Sequence, residues 1–254
     1  MKFEVRYGTS QYNESIREIS LNALKKELQP LLDQEGIRKD LMVVDMSDHI
    51  AAAKGTHFFP NSQLSIGISR KLFDTDKEAA LFIAKHEVSH IKHNDVFLGA
   101  VITAISSFVV AIFAVISFSA LKALLVTFLI GRVVSIAYTR FYESRADDFA
   151  IANSTTEELK GGRRFFLSSL NMGLEQRANS FWQKILYSAT GEERLDISHP
   201  SLSSRISKIE KELANRNVQK ESYTGPLEKY VINRIDSVLR KYYPAKINSY
   251  EIYI

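Results

Sequence analysis

The sequence predicts a mainly α fold with a small β-sheet (α+β) and an inserted hydrophobic helical hairpin. Three observations carry this. Apolar residues recur at helical spacing over most of the 254 residues, only two short stretches are β-rich, and Val96 to Leu121 is a run of 26 residues without a charge. Composition agrees with a folded chain: 45% hydrophobic and 24% charged residues are ordinary globular values, and the length allows a sizeable core. A net charge of +4 is too small an excess to argue for a nucleic-acid partner. The absence of cysteine excludes disulfides and thiolate metal sites and fits a reducing compartment. The first residues contain no apolar signal core, so no cleaved secretory signal is expected.

Residues 1–40 form an N-terminal helical segment. Ile16, Ile19, Ala23, Leu24 and Leu28 share one face over 11–29, and Pro30 is expected to end or kink the helix. Residues 41–95 hold strands and then a helix. "LMVVDM" at 41–46 and the alternating "SQLSIGIS" at 62–69 are strands, and "AAAKGTHFFPNS" between them is a loop or hairpin. Thr75 and Glu78 spell a capping box, so a helix is expected from about 76 to at least 94. Residues 96–138 are the hydrophobic hairpin. Residues 139–215 are helical again, at 139–152, about 155–189 and 201–215. Residues 216–254 are expected to form an amphipathic helix and a tail.

His86-Glu87-Val88-Ser89-His90 is an H-E-x-x-H motif, and the capping box places it on a helix independently of the motif. Histidines at i and i+4 project from one face, so both imidazoles reach one Zn²⁺, while Glu87 is placed to take a proton from water. A third ligand is needed. His93, at i+7 from His86, lies about 10 Å along the axis from it, too far for bonds near 2 Å, and is a polar helix-end residue. Glu143 is the better candidate. Asp147 follows it at i+4, where it is suited to accept the outward N–H of a ligating histidine.

H-E-x-x-H, a hydrophobic stretch, E-x-x-x-D and then "HPSLSSRI" resemble the gluzincin metallopeptidases that include HtpX and the type-1 CAAX prenyl proteases. The resemblance covers roughly residues 40–215. It implies a zincin-like catalytic domain with one zinc ion per chain held by His86, His90 and Glu143. Glu87 would then be the general base and Asp147 the supporting acid, with His199 and Arg205 in a segment near the site. It also implies that the strand region from "FFPNSQLSIGIS" borders a substrate cleft, so the expected polypeptide substrate lies along 62–69 by β-augmentation. His199 and Arg205 are read either as contacts to a transition-state oxyanion or as ordinary helix-start and surface residues. The chain departs from HtpX-like members in having no hydrophobic helices before the catalytic helix.

The function expected is zinc-dependent hydrolysis of peptide bonds in membrane-associated or misfolded proteins. The competing expectation is a catalytically idle, zinc-containing membrane adaptor of the same fold. If His86, His90 and Glu143 share an ion, residues 96–138 must cross a bilayer an even number of times. Their length suits two spans with a turn near Ser117–Ser119, Lys122 close to that turn and Arg132 deeper. The lipid bilayer is therefore an expected partner. Lys85, Lys92, Arg140 and Arg145 flank the catalytic side, which places it in the cytoplasm by the positive-inside rule. The alternative is a hairpin buried in a soluble cytoplasmic protein or in a partner.

Overall fold

Capping, close packing and one left-handed residue set the architecture around the histidine motif. The computed structural model of the protein describes residues 9–46, 51–56, 61–117 and 120–216. In chain order these form α1 (Thr9–Gln34), β1 (Leu41–Asp45), β2 (Ala51–Lys54), β3 (Leu64–Ile68), α2 (Arg70–Thr75) and α3 (Lys77–His93). There follow α4 (Asp95–Ser117), α5 (Ala120–Asn153), α6 (Thr156–Asn179), α7 (Phe181–Leu186) and α8 (Leu202–Asn215). The α+β class is as the sequence predicts.

Asp76 opens α3, its carboxylate accepting from the Ala79 N–H at 3.0 Å. The cap therefore falls one residue later than expected. Thr75 closes α2 instead, donating its hydroxyl to the Lys71 carbonyl at 2.7 Å. Arg164 holds the capping carboxylate from α6 through both Nε and Nη2, at 2.9 and 2.8 Å. Beside it α6 crosses α3 at contact distance. A Cβ on Gly161 would lie 2.4 Å from the Ala79 nitrogen, and one on Gly162 would lie 2.5 Å from the Phe82 ring. Only glycine permits that approach.

The sheet has the order β1-β3-β2, with β1 parallel and β2 antiparallel to β3. Leu64, Ile66 and Ile68 of β3 are buried against α3, while Leu24, Leu28 and Leu32 of α1 join the same core. Strand β2 occupies part of the segment expected to be loop or hairpin. Its Ala-Ala-Ala-Lys sequence has little strand preference, and pairing with β3 imposes the conformation. Helix α1 continues through Pro30 to Gln34 because Leu31 and Leu32 beyond the proline are buried. Burial there offsets the missing backbone donor.

Two further boundaries differ from expectation. Helix α5 is one continuous 34-residue rod, with no break between the hydrophobic leg and the polar part carrying Glu143. The helix expected over about 155–189 is divided at Ser180, whose extended backbone and side-chain cap start α7 afresh. The amphipathic helix expected over 216–254 falls outside the described residues beyond Arg216.

Helices α4 and α5 pack as an antiparallel pair through small residues. A Cβ on Gly99 would meet the Tyr138 ring at 3.2 Å, and one on Gly131 would meet the Ser107 hydroxyl at 2.9 Å. Both helices are long and apolar enough to cross a membrane, and only 6% of each apolar window is buried.

Candidate metal centre

Helix α3 delivers His86 and His90 from one face, one turn apart, and both side chains are buried. Their Nε2 atoms are 3.1 Å apart. Glu143, on the polar part of α5, brings Oε2 to 3.3 Å from His86 Nε2 and Oε1 to 3.5 Å from His90 Nε2. Ligand atoms at 2.0–2.1 Å around a tetrahedral ion lie about 3.3 Å from one another. The two imidazoles and this carboxylate are therefore spaced to share one cation. Donor atoms of His86, Glu87 and His90 also fall within 4.8 Å of one another. Glu87 is the less apt ligand of the two acids, because it follows His86 directly and its carboxylate takes a hydrogen bond from the Ala53 N–H.

Behind each imidazole stands an aspartate. His86 Nδ1 is 3.0 Å from Asp147 Oδ1, and His90 Nδ1 is 3.0 Å from Asp95 Oδ2. With both Nδ1 atoms donating outward, both Nε2 lone pairs are left for a cation. An arginine backs each aspartate in turn. Arg205 bonds Asp147 Oδ1 through Nε at 3.1 Å and Nη2 at 2.6 Å, and Arg145 Nη2 bonds Asp95 Oδ1. Arg205 also lies over the Phe166 ring at 4.2 Å.

The electrostatics follow this geometry. Burial alone would lower the His86 pKa, but hydrogen bonds that its ring donates to the Asp147 and Glu143 carboxylates outweigh it and push it up to about 9. Burial pushes the Glu87 carboxyl above its ordinary range, against the pull of His86 and His90. Glu143 and Asp147 are buried too, yet His86 and, for Asp147, Arg205 hold both below the usual carboxylate range.

His199 lies at the mouth with Nε2 3.7 Å from Glu143 Oε2, and Asp196 holds its Nδ1 at 2.8 Å. Arg205 bonds Asp147 and also lines the cavity over the site. His93 bonds its own helix, at the Ser89 carbonyl, 2.9 Å away. The sequence does not mark Asp95 or Asp196 as site residues and shows Arg145 only as a flanking charge; proximity to histidines in the chain (His90-x4-Asp95 and Asp196-x2-His199) is the one signal for the two acids.

A cavity of about 390 Å³ opens over Glu87, His90 and Glu143, walled by Ala51, Ala53, Tyr142 and Phe165. A wider one of about 930 Å³ adjoins it through Phe165, Phe166 and His199. The strand bordering the site is β2. Strand β3, which the sequence reading assigned to the substrate, is paired on both edges and has no free edge to offer.

A profile of peptidase family M48 matches residues 19–213. No curated protein and no solved structure matches the chain.

Proposed function

The chain belongs to peptidase family M48, a family of metallopeptidases, and from that premise we propose that it is a zinc-dependent endopeptidase. Its substrates on this reading are membrane-associated or misfolded polypeptides. The observation that carries it is the triangle of His86 Nε2, His90 Nε2 and Glu143 oxygens, whose sides of 3.1, 3.3 and 3.5 Å suit ligands of one small cation. Two imidazoles and a carboxylate are one of the donor sets of catalytic zinc sites. A zinc ion held by His86, His90 and Glu143 would supply an acidified water and polarise the scissile carbonyl.

The chain's own residues do the rest. Glu87, raised by burial, accepts a proton from the attacking water and passes it to the leaving amine. Asp147 and Asp95 keep the two imidazoles turned with Nε2 inward. His199, held by Asp196 through Nδ1, presents its Nε2 to charge developing on the scissile carbonyl oxygen. An extended substrate adds to the outer edge of β2, beside Ala51 and Ala53, and its flanking side chains extend into the adjoining cavity.

Helices α4 and α5 are two membrane spans over residues 96–138, and the site stands on the cytoplasmic side, flanked by Lys85, Lys92, Arg140 and Arg145. Supporting this, α5 is about 51 Å long, more than a bilayer core of about 30 Å, so one rod both crosses and carries Glu143 beyond the surface. Arg132 stands about 9 Å along the helix from Tyr138, close enough for its side chain to snorkel to the interface.

The test is Glu87→Gln. Peptide turnover should fall about 10²–10⁴-fold while elemental analysis still finds one zinc per chain. Activity retained within a few fold would remove the general-base role. Zinc bound by the wild-type chain with no turnover of any unfolded test protein would instead support the idle adaptor.

A further inference from the structure

We propose that Asp95 is a positioning residue for His90 and that, together with Arg145, it ties the metal site to the base of the hydrophobic hairpin. The inference rests on the reading of His86, His90 and Glu143 as ligands.

The chain places Asp95 by breaking a helix. Asn94 adopts the left-handed conformation, φ 52° and ψ 39°, and its N–H closes α3 on the His90 and Ile91 carbonyls. Had α3 continued, residue 95 would project about 140° around the axis from His90 and face away from it. The single left-handed residue starts α4 anew and folds Asp95 back onto the last turn of α3. Its side chain is fully buried, with Oδ2 3.0 Å from His90 Nδ1 and Oδ1 accepting from Arg145. A buried carboxylate is tolerable only with such partners. Both of its oxygens are thus committed, one to an imidazole and one to a guanidinium.

The two histidines are supported from different places. Asp147 and Arg205, behind His86, come from the polar part of α5 and from α8. Asp95 is the first residue of α4, and Arg145 sits on α5 just past the opposite leg. The His90 support therefore joins the two legs of the hairpin where they leave the apolar region. An aspartate that accepts Nδ1–H fixes the tautomer, turns the Nε2 lone pair inward and strengthens it as a donor. His90 is oriented only while the first turn of α4 stays docked beside α5.

The experiment measures zinc dissociation constants of the full chain in detergent by chelator competition, with the absorption spectrum of the Co²⁺-loaded protein as second readout. Asp95→Ala should weaken zinc binding about 10–100-fold and alter the Co²⁺ bands. Asp95→Asn keeps an acceptor without the charge, so it should recover part of that loss and most of the spectrum. Arg145→Gln should weaken binding in the same direction. A purely structural role would lower the metal-free melting temperature and leave both readouts of the folded protein unchanged. If Asp95→Ala fails to fold, Asp95→Asn and Arg145→Gln decide. Zinc affinity within twofold of wild type and an unchanged spectrum in every variant that folds overturn the proposal. A wild-type chain that binds no zinc overturns the ligand reading and this inference together, whereas wild-type binding with indifferent variants overturns this inference alone.

Discussion

Helices α3 and α4 follow one another in the chain, separated by a single residue, and meet opposite surroundings. Of the 17 residues of α3, 12 are buried, and they include His86, Glu87 and His90. Helix α4 is far more apolar yet leaves Phe108 at 67% and Ile116 at 78% exposure. Burial in this protein follows the partners a helix meets and not its hydropathy. Imidazole goes inside α3's surroundings because Asp95, Glu143 and Asp147 meet its ring nitrogens there. The outward faces of α4 and α5 stay exposed in the described chain, which fits the proposal that an apolar medium covers them.

The sharpest way to break that comparison is all-or-none. If residues 96–138 cross a membrane twice, their tip and the metal site lie on opposite sides. Because the chain contains no cysteine, single substitutions report cleanly. Ser154, an obvious polar reporter, is only 5% exposed, so Ala178, on the exposed surface of α6, is the better one. In sealed inverted vesicles an impermeant maleimide should label Ala178→Cys at once and Ser119→Cys only after permeabilisation. Labelling of both at once, with release of the protein by carbonate, would make the hairpin a docking surface. The metal site would survive that outcome and the membrane reading would not.

Truncation in the two regions should differ next. Phe82 is fully buried, edge-on to Phe166 with ring centroids 6.0 Å apart. Phe82→Ala should cost about 3–5 kcal/mol of unfolding free energy, read by denaturant titration in detergent. Phe108→Ala should change it by less than about 0.5 kcal/mol. A loss of several kcal/mol at Phe108 would mean that protein, not lipid or detergent, packs on that face.

The same contrast explains what the sequence could show. The H-E-x-x-H helix and the two apolar legs are legible because their signals are local: spacing on one helix, a cap, a run without charge. Glu143 is legible at a distance through its pairing with Asp147 on a helix downstream of H-E-x-x-H and the hydrophobic stretch. Strand β2 was not, because alanines acquire strand geometry from β3 and carry no preference of their own. Asp95 reads as an ordinary acid in a helix's first turn. Its contact with His90 depends on the left-handed Asn94, and an asparagine near a helix end does not announce the direction in which the next helix leaves. The shared edge of α6 and α3 was hidden too, since Gly161 and Gly162 mid-helix look like weak points until Phe82 and Ala79 are seen against them.

The last expected effect concerns pH, and it touches the metal-site region alone. In the metal-free protein His86 has its pKa raised from 6.5 to about 9, because Asp147 and Glu143 outweigh its burial. A group raised in the folded state stabilises fully below its unfolded value. That stabilisation should therefore be present below pH 6.5 and be lost as pH rises towards 9. Zinc needs the neutral imidazole, so its affinity should move oppositely, rising up to about tenfold per pH unit across the same window. Metal-free melting temperatures should fall from pH 6.5 to 9 while zinc dissociation constants tighten. Residues 96–138 contain no histidine and no carboxylate, so membrane retention should stay flat over that range. Asp147→Asn removes the largest source of the shift and should flatten both site trends without touching retention. Metal-free stability that instead rises between pH 6.5 and 9 would mean His86 is neutral in the folded chain, and the Asp147 contact would then have to be that of an imidazole already prepared for metal.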